Sequence, residues 1–98
     1  MPTFDYTPPF AKDVELLDRR DLERFRRVVT TQFVADLAEG KQFRGSLRVK
    51  GVRRMTGVFE MTWGPDGRAT FEFGDPIVAG QAHVIWRRVG THEIFRAP

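Results

Sequence analysis

At 98 residues with 41% apolar content, the chain is long enough for one folded domain and too apolar for a disordered tail. It has no cysteine, which excludes disulfides, thiolate metal sites and thiol nucleophiles together. The net charge of +3 is unevenly spread: residues 1–40 hold six basic and eight acidic groups, and residues 41–98 hold ten basic and five acidic groups, so an anionic partner is expected at the second half.

Pro2, Pro8 and Pro9 discourage helix before them, and Phe4 alternates with Tyr6, so the chain is expected to open on a short edge strand. Neither a basic n-region nor an apolar h-region is visible there, and no apolar run is long enough to span a bilayer; the expectation is a cytoplasmic protein with no membrane partner. Pro9 suits the first position of a helix whose buried stripe is Phe10, Val14 and Leu17. Asp18 is placed to cap a second helix, with Asp21 in its first turn. Leu22, Phe25, Val29, Phe33 and Leu37 mark the buried face of that helix. Gly40 supplies a left-handed C-cap. So short a link predicts an antiparallel helical hairpin.

After Gly40 the pattern changes to strands, expected at about 46–50, 57–63, 68–74 and 82–89, with a short tail at 91–95. Gly64-Pro-Asp-Gly67 is a strong turn signal between two of them. In Leu47-Arg-Val-Lys50, alternation turns Leu47 and Val49 inward and aims Arg48 and Lys50 out of the opposite face. The expected fold is α+β: a single domain, 1–98, with an N-terminal helical hairpin on one face of a mainly antiparallel, four- to five-stranded sheet. Phe59, Trp63, Phe71, Phe73 and Trp86, at strand spacing, are read as core.

Lys41, Arg44, Arg48, Lys50, Arg53 and Arg54 form a run with no acid between them, suited to phosphate. The plainer reading is a solvated basic edge that keeps strands from pairing with other chains. Arg87 and Arg88 point to opposite faces of a continuous strand, so only one of them is expected at a site. Glu60 is either a base or orienting carboxylate or the partner of a neighbouring arginine across strands. His92 follows the last long strand and is of the side-chain type suited to exchanging a proton near neutral pH, while His83 at a strand start is read as structural. No glycine-rich phosphate loop, serine elbow or cysteine–histidine metal spacing is present, so neither cofactor nor metal is expected.

The element order, with the phrases Leu47-Arg-Val-Lys50, Gly57-Val-Phe-Glu60 and Val89-Gly-Thr-His92, resembles the RelE/ParE superfamily of toxins over Tyr6 to Phe95. In the RelE branch, the resemblance implies, the toxin binds the ribosomal A site and cuts mRNA there without a metal. The ParE branch shares the fold but poisons DNA gyrase. A neighbouring antitoxin wraps the toxin in both, here implying an antitoxin partner and a heterotetramer with it. The implied catalytic candidates are His92, Arg48, Lys50, Arg88 and Glu60. RNA contacts are implied for Lys41, Arg44, Arg53, Arg54 and Arg87. Relatives often carry Tyr and Arg where this chain has Phe95 and Thr62, so a basic module that binds RNA without cutting is the third reading.

Overall fold

The computed structural model describes residues 1–40 and 42–98; the expected RNA contact Lys41 lies outside the described residues. The chain runs β1 (Thr3–Tyr6), α1 (Pro8–Leu16), α2 (Arg19–Val28), a π-helical turn (Val29–Phe33) and α3 (Val34–Ala38). A 3-10 turn (Gly45–Leu47), β2 (Lys50–Gly51), β3 (Val58–Thr62), β4 (Arg68–Gly74), β5 (His83–Gly90) and a final 3-10 segment (His92–Arg96) follow.

Caps set the helix boundaries. Thr7 is the N-cap of α1, and Pro8 rather than Pro9 takes the first helical position, where its missing N–H costs nothing. Asp18 Oδ1 accepts from the Asp21 N–H at 2.8 Å, as the sequence predicts. Gly40 ends the run at φ +67 with its N–H on the Leu37 carbonyl. The π turn has a reason in the sequence. Phe25, Val29, Phe33 and Leu37 recur every four residues, and in an α-helix each such step drifts by about 40°. A wider turn at Val29–Phe33 cancels part of that drift and keeps all four toward the sheet. The Thr30 and Thr31 hydroxyls, donating back to the Arg26 and Arg27 carbonyls at 2.9 and 2.6 Å, favour this local distortion.

The five strands lie in the order β1-β5-β4-β3-β2, with β1 parallel to β5 and the other pairs antiparallel. The helices cover one face. Phe33, fully buried, stands 5.1 Å by ring centroid from both Phe71 and Trp86 and is the centre of the core. Trp63, Phe71 and Trp86 are core as expected, Phe59 is half-buried, and Phe73 is exposed at the end of β4. His83 is buried and structural, its Nδ1 2.7 Å from the Thr3 hydroxyl. Opposite the outer edge of β5, β1 reaches only Trp86, and α1 takes over. There the Thr7 hydroxyl donates to the Arg87 carbonyl (2.8 Å), and Asp13 accepts the Val89 N–H (3.1 Å).

Three expectations are corrected. Residues 46–50 are not a strand: a 3-10 turn leads into Arg48 in the left-handed region, and only Lys50–Gly51 pairs with β3. The alternation nevertheless holds in burial, with Leu47 buried, Val49 half-buried and both cations exposed. Residues 91–95 are no strand either but the start of the 3-10 segment, with Ile94 tucked inward. Finally, Phe71 pairs Trp86 and Thr70 pairs Arg88, so Arg87 is an extra residue at a bulge and strict alternation ends there.

Candidate active site

Ala69 and Phe71 point into the core, so Arg68, Thr70 and Glu72 lie on the face without helices; by the same argument Met61 and Trp63 put Glu60 and Thr62 there. Register aligns Lys50, Glu60, Thr70 and Arg88 in one row across four strands, and Thr62, Arg68 and Gly90 in the next. The C-terminal segment folds back over part of this face. The Pro98 carbonyl accepts from the Thr70 hydroxyl (3.0 Å) and from Arg87 Nε (3.2 Å), leaving Thr70 fully buried.

That return places His92 at the corner of the sheet, beside the turn from β3 to β4. His92 Nδ1 lies 2.9 Å from Asp66 Oδ1. The hydrogen bond from His92 holds the Asp66 carboxyl below the usual carboxylate range, and the charge of Arg68 acts in the same direction. An ionised carboxylate only accepts, so Nδ1 carries a proton, and Nε2 is the ring nitrogen that Asp66 does not engage. Arg68 in turn donates through Nη1 to the Gly67 carbonyl (2.9 Å) and the Gly64 carbonyl (3.3 Å), bracing the turn that carries Asp66. Sequence reasoning missed Asp66 and Arg68 as site residues. Asp66 has a full explanation as a turn former, and its partner lies 26 positions away.

Lys50 Nζ is 3.9 Å from Glu60 Oε1, so the cross-strand ion pair expected of Glu60 forms with a lysine and not with an arginine. Lys50 and Arg68 are two strands and one two-residue step apart, roughly 12 Å between Cα atoms by sheet geometry. Their side chains can therefore flank one phosphate group. Arg48 is exposed just before β2, and Arg53 and Arg54 are exposed in the loop from β2 to β3, at the far end from His92.

Three expected cations are engaged elsewhere. Arg44 grips Asp36 through both Nε (2.9 Å) and Nη2 (2.8 Å), which raises its pKa. Arg87 Nη1 donates to Glu72 at 2.6 Å. Arg88 donates through Nε and Nη2 to Asp13 at 2.6 and 3.1 Å, and through Nη1 to the Ala97 carbonyl at 2.9 Å. Beyond the bulge, both Arg87 and Arg88 contact the returning C-terminal segment. Arg88 thus clamps α1 to β5.

No family model and no curated protein matches the chain. Solved structures do. The E. coli DinJ-YafQ toxin–antitoxin complex contributes a chain 15% identical, with TM-score 0.67, over 94% of this chain and 93% of that one. The RelBE2 toxin–antitoxin complex of Mycobacterium tuberculosis contributes one 23% identical, with TM-score 0.63, over 94% and 100%. The YoeB/ParE toxin from Agrobacterium tumefaciens is 14% identical, with TM-score 0.65, over 92% and 98%. The chain has the RelE/ParE toxin fold. In this chain the Asp66–His92 corner lies on the face of the sheet that the helices leave open. Among the described residues no helix is long and apolar enough to cross a membrane.

Proposed function

We propose that this chain is the toxin of a toxin–antitoxin pair and that it cleaves messenger RNA on the ribosome, in the cytoplasm, without a metal ion. The observation that carries this reading is the imidazole of His92, oriented by Asp66 next to Arg68, on the same open face as Lys50 and Glu60. His92 Nε2 takes the proton of a ribose 2′-hydroxyl, and the oxygen attacks the adjacent phosphorus. Arg68 and Lys50, with Arg48 at the edge, hold the added negative charge on the phosphorane oxygens. Glu60 orients the Lys50 ammonium, which protonates the departing 5′-oxygen. The products are a 2′,3′-cyclic phosphate and a 5′-hydroxyl, and the proton on His92 returns through solvent to Lys50. Arg53 and Arg54 contact RNA outside the reacting step; Arg44, Arg87 and Arg88 serve the fold.

The antitoxin partner is supported by the complexes in which chains of this fold were solved; a heterotetramer is the assembly proposed with it. The deciding experiment is induction in a bacterial host followed by primer extension of a translated and an untranslated message. Cuts confined to the translated message are expected, and His92→Gln should abolish them while the folded protein persists. Intact message with a DNA-damage response would replace this reading with gyrase poisoning. Harmless expression with RNA binding would replace it with a module that binds but does not cut.

A further inference from the structure

Among the described residues only two that are not glycine have positive φ, and both are arginines, Arg48 at 49° and Arg54 at 66°. Arg48 closes the 3-10 turn Gly45–Leu47, its N–H on the Gly45 carbonyl at 3.1 Å, in the place where a helix end ordinarily takes glycine. Arg54 is the third residue of the turn Val52–Met55, closed by the Met55 N–H on the Val52 carbonyl at 3.2 Å. Positive φ at that residue alone is the type II pattern, which calls for Gly or Asn. Glycine does fill the equivalent position one turn later, at Gly57 with φ +83. Both arginines are exposed, and neither guanidinium bonds to another described residue.

We infer that Arg48 and Arg54 occupy backbone positions made for glycine because their guanidiniums clamp the sugar–phosphate backbone of single-stranded RNA at the two ends of the β2 edge. Position along β3 separates the two arginines. The turn that presents Arg48 packs beside the end of β3 that leads into the Gly64–Gly67 turn, where Ser46 shares a cleft with Thr62, Trp63 and Gly64 and with Arg24, Val28 and Gln32 of the helical layer. Arg54 lies past the opposite end, where the Val52 N–H meets the Val58 carbonyl at 2.8 Å. The five residues of β3 set these ends about 17 Å apart. Lys50 lies between them on the same edge. A strand of RNA whose reacting phosphate sits at His92 therefore continues along β2, over several nucleotides, to Arg54. That the polyanion is RNA rests on the reading of the preceding section; that these two arginines hold it rests on the backbone.

The test compares wild type, Arg48→Gly/Arg54→Gly and Arg48→Lys/Arg54→Lys for binding to a 2′-O-methyl RNA dodecamer, which cannot be cleaved, across a salt series. The glycine pair should bind roughly 10- to 30-fold more weakly at 0.1 M salt, with the slope of log K against log salt shallower by about 1.4. Its thermal midpoint should not fall, since glycine suits both positions. The lysine pair should keep most of the slope. A control that removes the same charge from the helical layer, Arg19→Gln/Arg20→Gln, should change the slope little. Undiminished binding by the glycine pair, or an equal loss in the control, overturns the inference. In cleavage assays Arg54→Gly should raise KM with kcat within twofold. A wild-type protein that cleaves nothing refutes the ribonuclease reading, and the dodecamer series then still decides this one.

Discussion

The contact between Asp13 and β5 gives the sharpest test of how the frame holds the site. Asp13 accepts Arg88 Nε at 2.6 Å, Arg88 Nη2 at 3.1 Å and the Val89 N–H at 3.1 Å. The two side chains are only 11% and 25% exposed. Asp13→Ala strands a guanidinium and a backbone N–H that β1 is too short to satisfy. Breaking a buried pair costs about 3–5 kcal/mol. Arg88 keeps the Ala97 carbonyl and touches water, which places this case at the lower end, about 3 kcal/mol. For a domain of this size that lowers the thermal midpoint by roughly 12–24 °C. Asp13→Asn retains one acceptor and should lose about half as much. Urea denaturation of both variants, with Arg88→Met to close a double-mutant cycle, measures the coupling, expected at about 2 kcal/mol. A cost below about 1 kcal/mol for Asp13→Ala would refute the claim that α1 serves as the outer neighbour of β5.

Asp66→Asn should lower single-turnover cleavage about 100-fold with substrate affinity little changed, because the amide no longer fixes the His92 tautomer. Equal rates would detach Asp66 from the chemistry. Because the folded-state pKa of Asp66 is depressed, its contribution to stability is complete above the unfolded carboxylate range, near pH 4, and disappears as pH falls through the folded value. The gap in thermal midpoint between wild type and Asp66→Asn should therefore close on acidification, and a gap that widens would reverse the assignment. Gly67→Ala drives a Cβ to 2.5 Å from the Trp63 ring and should cost about 2–3 kcal/mol by chemical denaturation. Gly74→Ala meets His83 Cδ2 and the movable Ile85 Cδ1 at 2.9 Å and should cost clearly less; the opposite order would contradict the packing described. Phe33→Ala, at the centre of the ring cluster, should cost about 3–5 kcal/mol in the same assay.

What the sequence disclosed follows from which signals are local. Asp18, Gly40 and the Gly64–Gly67 turn act within a few residues of themselves, and β4 occupies the expected 68–74 without a shift. The segment before β2 misled because alternation reports burial, and a 3-10 turn followed by a left-handed residue buries Leu47 and exposes Arg48 as a strand would. Nothing local marks the bulge at Arg87, since the extra residue is defined only by the register of the neighbouring strand. The ion pairs of Arg44 with Asp36 and Arg88 with Asp13 were invisible for the same reason: they join residues from different elements. His92 was legible as a candidate from its residue type and Lys50 from the alternating basic run, whereas the contact of Asp66 with His92 needed coordinates.

The pairing of Thr3 with His83 and of Tyr6 with Trp86 ties the beginning of the chain to its last long strand. During synthesis the first strand must wait, unpaired, until some 80 further residues have been made, because its place in the sheet does not exist before then. A nascent chain thus cannot complete this sheet before β5 has been made, and the open face acquires its final shape only then.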